Sequence, residues 1–393
     1  MKKILVLNLG STSFKFKLYA MGDAETLLAS GGVECIGAAG SYRVKVASGP
    51  EEKGACACAT HADALEMCVS ALGRLGLPLD MDALDAIGYK AVHGGTLSDA
   101  HVVDDALLAE MERMIPLAPA HNPVYLAMMR SVRARCPALR QIACFETAFH
   151  QTVPLERAVY GIAPAWMEQH GLRRYGFHGS SHSCIAWRMQ QLDPRARRVI
   201  SVHLGGSSSL CAIADGRSIA SSMGATPQSG IFHNNRVGDL DVFCLKVMAD
   251  HLGGLEHALE ELSSRSGLLG LSGVSNDMRA VRQAAAQGNR QAALAIAALA
   301  DGIVGYIGMF TAYLGGVDAI VFTGGMGLND AELRARVAGQ LTFLNARVDA
   351  AANLPGREGR FSAPDSGVAL WALETNEELM VARGCVRVLD GRA

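Results

Sequence analysis

The sequence predicts an α/β protein made of two matched halves, and three observations carry that expectation. The chain has 393 residues, half of them apolar, which is more than one hydrophobic core usually organises. A strand-like apolar run, a hydroxyl-rich glycine bend and a returning run occur twice. The first copy is Ile4 to Leu9, Gly10-Ser11-Thr12-Ser13 and Phe14 to Tyr19; the second is Val199 to Leu204, Gly205-Gly206-Ser207-Ser208-Ser209 and Leu210 to Ile213. Gly10 and Gly205 lie half a chain apart, the spacing of a duplicated domain whose two loops would face each other across a cleft. Thirdly, an apolar run at Ala319 to Thr323 ends in Gly324-Gly325-Met326-Gly327 before a helical pattern. Such strand-to-helix turns are where α/β folds take nucleotide phosphates.

Taken in order, the first hairpin is followed by short strands around Gly31 to Gly37 and Tyr42 to Ala47. Ala64, Leu65, Cys68, Val69 and Leu72 recur at helical spacing in His61 to Leu75. A strand at Ala86 to Val92 leads to His93-Gly94-Gly95, and helices are expected at Leu107 to Ile115 and Val124 to Arg135, bounded by Pro116 and Pro123. Gln141 to Phe145 reads as a buried strand. In the second half, Arg173 to His182 is a loop entering a helix that runs to about Leu192. Gly224 to Asp239 is loop by composition, and helices follow at Leu240 to His251, Leu255 to Leu262, Asp277 to Ala286, Gln291 to Leu314 and Ala331 to Gln340. A last strand, Val368 to Leu373, enters a terminal helix from Glu377.

Composition narrows the function classes. The 36 Lys and Arg against 38 Asp and Glu leave no basic footprint for nucleic acid or an anionic membrane. Of ten cysteines only Cys56 and Cys58 are close, no CxxC pair occurs, and the apolar run at the N-terminus is short for a signal peptide. Reduced thiols in the cytoplasm are the expectation. Ala292 to Leu314 is long and apolar with Asp301 its one charge, yet it lacks flanking anchors, so a helix buried between domains is expected rather than a bilayer span.

Neither GxxxxGK[ST] nor GxGxxG is present. What remains is three loops of small residues, at Gly10, Gly205 and Gly324, suited to a triphosphate whose oxygens meet backbone N–H groups. Cationic candidates beside loops are Lys15, Lys90, Arg174, His178, Arg236 and Arg279; acidic ones are Glu146, Asp239, Asp241 and Glu377. Phosphoryl transfer needs this mixture, because it depends on in-line positioning and on cations meeting the charge of the moving group. Each residue alone has a structural alternative: His178 and His182 can cap a helix, and a first-turn Glu377 is favoured by the helix dipole. Ser207 or Ser209 with His178 imitates a hydrolase pair, but the GxSxG elbow is missing.

Several strings together resemble the acetate kinase family: Asn8 to Lys15 (NLGSTSFK), Val92 to Gly95, Leu117 to Pro123, Thr147 to Thr152, Arg173 to His182 (RRYGFHGSSH), His203-Leu204-Gly205, Ser222-Met223-Gly224, Arg236 to Asp241, Ser266 to Arg279 and Thr375 to Leu379. The resemblance implies a duplicated ribonuclease-H-like fold of two domains, residues 1–147 with 377–393 and residues 148–376, as in actin, heat-shock chaperones and sugar kinases. It implies a homodimer and ATP-dependent, reversible phosphorylation of a short carboxylate, with Mg²⁺ or Mn²⁺. By position, Ser11, Ser13, Lys15, His203, Gly205 and Gly206 would bind phosphate. Asp277, Met278, Arg279, Gly325 and Asn329 would bind the nucleoside. Arg236, His178, Glu146 and Lys90 would be catalytic, Asn8 and Glu377 would hold the metal, and Val92, Ala120, Phe177 and Pro227 would surround the acyl group beside Lys90 and Arg236.

Five positions depart from that pattern: Lys90 stands for Arg, Glu146 for Asp, Gly206 for Asn, Leu328 for Glu and Ala120 for Leu. Lysine keeps the charge and loses the planar fork; Glu146 adds a methylene, and the two changes could offset each other. Ala120 opens the acyl pocket, where one methylene is worth about 1–3 kcal/mol of discrimination, so propionate or a longer acid is expected beside acetate. Two other readings compete: a kinase for a bulkier carboxylate or a donor other than ATP, and a weakly catalytic nucleotide sensor.

Overall fold

In the computed structural model, which describes residues 1–97 and 99–392, β1 (Lys2–Leu9) is buried on both faces, as a strand covered on each side must be. Leu5, Leu7 and Leu9 point into one apolar cluster, while Ile4 and Val6 point into another shared with the terminal helix Glu377–Leu389. Contacts divide the chain into two units, Met1–Phe149 with Asn376–Ala393, and His150–Thr375.

The first unit contains β1, β2 (Ser13–Met21), β3 (Glu25–Glu34), β4 (Gly40–Val46), β5 (Glu51–Cys56), β6 (Ala86–Ala91), β7 (Ala100–Val102) and β8 (Gln141–Phe145). They form one sheet in the order β5-β4-β3-β2-β1-β6-β8-β7. The strands from β1 to β5 pair antiparallel in sequence, whereas β1, β6 and β8 are parallel. The second unit contains β9 (Arg198–Leu204), β10 (Ser208–Ala214), β11 (Arg217–Ser221), β12 (Ala319–Thr323), β13 (Gly359–Arg360) and β14 (Ala369–Ala372), ordered β11-β10-β9-β12-β14-β13. Here β9, β12 and β14 are parallel and the β9–β10–β11 meander is antiparallel.

The series β3-β2-β1-β6-β8 and β11-β10-β9-β12-β14 are therefore the same five-strand pattern built twice, the duplicated ribonuclease-H-like fold. The first two strands of each sheet in chain order form one of the glycine-bend hairpins. Helix Arg290–Leu314 has the length and apolarity to cross a membrane, but Ile296, Leu299, Ile303, Ile307 and Phe310 on its inner face belong to the core of the second unit.

The structure differs from the sequence reading in places. Gly324 to Gly327 is the first turn of a short helix, Gly324–Asn329, rather than open loop. Gly324 has φ +79, and a Cβ there would lie 2.6 Å from the Leu204 carbonyl oxygen, so the helix start packs directly on β9. β5 and helix Pro164–His170 were not expected. Both carry few buried residues and so leave little apolar periodicity to read.

The terminal helix packs onto β6 at Gly88, where a Cβ would lie 2.5 Å from Cys385 Sγ and 3.0 Å from Val381 Cγ1. Gly88→Ala should therefore destabilise the first unit by about 1–3 kcal/mol in denaturant titrations, an overpacking cost. Gly339→Ala, on an exposed helical position with open space around it, should be neutral or stabilising by up to about 1 kcal/mol. Equal midpoints for the two variants would contradict this packing.

Candidate active site

The first unit gathers charge where the terminal helix begins. Asn376 caps that helix: its Oδ1 accepts from Leu379 N (3.3 Å), and also from Lys17 Nζ (3.0 Å) and Tyr19 OH (3.0 Å) on β2. The cap fixes the first turn, which carries Glu377 and Glu378. Glu378 accepts from Asn8 Nδ2 (3.1 Å) and pairs with Lys17 (3.0 Å); Glu377 pairs with Lys90 at the end of β6. Burial opposes ionisation of Glu378, but the charges of Lys17 and Lys90 and bonds from Lys17 and Asn8 hold it below the usual carboxylate range. Burial likewise opposes the charge on Lys90, and Glu377, then Glu146 and Glu378, overcome it and raise its pKa. Lys90 thus lies in the field of Glu146, although its ion pair is with Glu377.

Hard oxygen donors of this kind, Glu377, Glu378 and the Asn8 amide, suit Mg²⁺. Among the described residues no three His, Cys, Asp or Glu side chains converge as a closed cage. The donors fit an ion held by few protein ligands and completed by phosphate and water.

The second unit gathers histidines and serines. His178 precedes helix Gly179–Leu192 in the left-handed region (φ 56), a strained conformation for a residue with a Cβ. The neighbouring Phe177 is pinned through its carbonyl by His150 Nε2 (2.8 Å), and Gly176, at φ +77, leaves space for that ring. From His178 a chain of bonds runs inward: Nδ1 to Ser209 Oγ (2.8 Å), Ser209 Oγ to His182 Nε2 (2.9 Å), and His182 Nδ1 to Ser201 Oγ (2.9 Å). The His203 ring lies 4.4 Å from that of His178 and bonds Ser181 (2.8 Å). Burial, then His150 and His203, keep His182 neutral, so it has one donor and one acceptor nitrogen. The direction of every bond in the chain is therefore coupled. When Ser201 donates to His182 and Ser209 donates to His178 Nδ1, a neutral His178 carries its proton on Nε2.

Arg236 lies at the far end of the glycine bend. Its Nη1 donates to Ser207 Oγ (3.1 Å) and to the Pro227 carbonyl (3.3 Å), both neutral, and burial lowers its pKa. Adjoining it, a pocket of about 1060 Å³ is lined by Gly205, Gly206, Asn234, Asp277, Met278, Arg279, Arg282, Gly325, Asn329 and Asp330. Its walls are well supported. Arg334, 1 % exposed, donates to the Gly327, Leu328 and Leu354 carbonyls, and Arg282 Nη2 bonds both carboxylate oxygens of Asp330. Leu328, in place of an acid, joins the core beneath.

The structure thus brings Gly205, Gly206, Asp277, Met278, Arg279, Gly325 and Asn329 to one pocket, with Ser207 joining its glycine bend to Arg236. Asn8, Lys90, Glu146 and Glu377 fall in the first unit's charged cluster. Lys15 instead lines a separate groove with Lys17, Arg43 and Lys53, and pairs with Glu34 (3.6 Å); Ser11 is exposed and Ser13 half-buried. Of the proposed acyl wall, Val92 is half-buried and Ala120 exposed in the first unit, while Phe177 is buried and Pro227 half-buried in the second. Asp239, Asp241 and Arg174 do structural work. Asp239 bonds Tyr306 (2.5 Å), Asp241 caps a helix, and Arg174 stacks on Tyr160. Sequence reasoning missed Glu378, Lys17 and His233, and it met Ser209 and His182 only as a hydrolase-like partner of His178 and as a helix cap. The doublet Glu377-Glu378 at a helix start and the Lys15/Lys17 alternation were the available signals.

The family model described as the Acetokinase family matches residues 3–383. A protein named acetate kinase from Geobacillus kaustophilus (strain HTA426) is 38% identical over 396 residues, covering 99% of this chain and all of that one. A propionate kinase from Citrobacter rodentium (strain ICC168) is 40% identical, covering 98% and 96%. The crystal structure of Porphyromonas gingivalis acetate kinase superposes with a TM-score of 0.89 at 34% identity, covering 99% and 100%.

Burial pushes the pKa of His150 down to about 4 and, with Arg236's charge, that of His233 to about 3; His182 is lowered by the same cause. In the unfolded chain these imidazoles take protons near the ordinary value of 6.5, so the unfolded state binds more protons below it. Stability should be complete above about pH 6.5 and fall as pH drops toward 4 and then 3. Urea titrations from pH 7.5 to 4 check this, and His150→Gln should flatten the slope; a pH-independent midpoint would contradict it.

Proposed function

The chain belongs to the acetokinase family, and on that premise we propose that it transfers the terminal phosphoryl of ATP, reversibly, to a short carboxylate such as acetate or propionate. Arg236 is the observation that carries this reading: a half-buried guanidinium that, among the described residues, bonds only neutral oxygens, beside a pocket of nucleotide size. A cation left in that state is stabilised by an arriving anion. A carboxylate acceptor is already ionised near neutrality, so no general base is required; the difficulty is bringing one anion onto another. Arg236 meets that repulsion, and His178 donates from Nε2 to the oxygens of the moving group. Asn8 and Glu377 are the metal's candidate ligands, and bound Mg²⁺ would neutralise phosphate oxygens. Gly205, Gly206, Asp277, Met278, Arg279, Gly325 and Asn329 would hold the nucleotide. The size of that pocket favours ATP over a smaller donor, and the intact Arg236 and His178 settings do not favour a mere sensor.

Replacing Arg236 by Leu should lower kcat by about 10³-fold or more, the scale of removing an arginine from phosphoryl transfer, while Tm holds or rises because a half-buried charge without an acid partner has gone. Retention of activity within tenfold would refute the assignment. Hydroxamate trapping across acetate, propionate and butyrate should give kcat/KM for propionate within about tenfold of acetate, since one methylene is weakly discriminated. A strict acetate preference would count against a role for Ala120.

A homodimer belongs to the same proposal. Val242, Phe243 and Val247 on helix Val242–Leu252, with Leu255 and Leu259 on helix Leu255–Ser264, are large apolar residues left exposed, Phe243 at 78%. A contiguous apolar face of this kind suits a second copy of the chain. The ten unbridged cysteines suit a reducing cytoplasm. Light scattering should find a dimer that F243E/V247E converts to monomer; a variant that stays dimeric would place the interface elsewhere.

A further inference from the structure

We infer that Ser207 is a positioning residue: with the Pro227 carbonyl it occupies both Nη1 hydrogens of Arg236 and leaves the Nε–Nη2 edge as the one presented to the reacting anion. The bond directions follow from one fixed point. His233 Nδ1 accepts the Ser208 backbone N–H (2.8 Å), and an amide can only donate, so Nδ1 carries a lone pair. The Ser207 hydroxyl, 3.1 Å from the same nitrogen, must therefore be the donor in that contact. Its lone pairs are thereby turned to Arg236 Nη1, also at 3.1 Å. The second Nη1 hydrogen goes to the Pro227 carbonyl at 3.3 Å. A guanidinium has five N–H groups; two are used, and the remaining three include the Nε/Nη2 pair that grips carboxylate or phosphoryl oxygens with two parallel bonds.

The relay holds at all working pH values. His233 is 2 % exposed, and burial with the adjacent Arg236 charge keeps it neutral, so Nδ1 does not change from acceptor to donor. Position 206, one of the departures from the family pattern, which has Asn there, holds an exposed Gly206 with open space about it. The polar side chain of this bend is at 207 instead, and it reaches the guanidinium rather than the pocket. A planar fork gains from being fixed beforehand, because a misplacement of about 1 Å at a reacting centre can cost on the order of 10²-fold.

This inference rests on the phosphotransferase reading, and the test separates the two. Ser207→Ala should lower kcat about 10- to 100-fold, with the KM for nucleotide within about twofold and Tm within about 2 °C of the parent. Ser207→Thr, which restores the hydroxyl, should return kcat to within about threefold. A second readout needs no turnover: phenylglyoxal modification of Arg236, followed by peptide mass spectrometry, should be several-fold faster in Ser207→Ala. Parent-like kcat and parent-like modification in Ser207→Ala would overturn the role of Ser207 while leaving the kinase reading intact. So would a loss that follows Tm and is not rescued by Thr. Should the parent protein make no acyl phosphate, the kinase reading fails, and the Arg236 modification rates still decide whether Ser207 holds the guanidinium.

Discussion

A half-buried guanidinium that, among the described residues, bonds only uncharged oxygens is the constraint from which the second unit's chemistry follows. Withdrawing a cation from water without a counter-ion disfavours its charged form, and Arg236 meets Ser207 and Pro227 rather than an acid. The structure supports the arrangement from both sides. β9 and β10 form the bend that carries Ser207, and the loop after β11 carries Pro227 and Arg236.

The first unit handles charge in the opposite way. There the carboxylates Glu377, Glu378 and Glu146 are met by Lys90 and Lys17, and Glu378 is held below the usual carboxylate range in spite of burial. An ionised, partly compensated group of oxygens binds a divalent ion without needing a full protein cage. Lysine at position 90 contributes a compact, mobile ammonium that one carboxylate can take.

Much of this was legible in the sequence, for identifiable reasons. The two hairpins were readable because glycine and hydroxyl bends flank uninterrupted apolar runs, and β8 because Ile142, Ala143 and Phe145 are buried together. The pocket's glycines and the Asp277-Met278-Arg279 segment were readable from strings, since those residues serve through local backbone shape and a helix start. The relays were not. His182, Ser209 and Ser201 come from three separate elements and meet through bonds across the sheet, and His233 reaches Ser207 over a long sequence separation. Periodicity carries no signal for such contacts. β5 was missed because its alternating Glu51, Lys53 and Ala55 lie exposed at a sheet edge.

The most direct test of the central claim is a crystal structure of the full chain grown with Mg-ADP, acetate and aluminium fluoride. The account predicts adenine in the pocket beside Asp277 and Arg279, and the planar fluoride bonded to the Nε–Nη2 edge of Arg236 and to His178 Nε2. A fluoride bound away from Arg236, with the guanidinium still facing only Ser207 and Pro227, would contradict it.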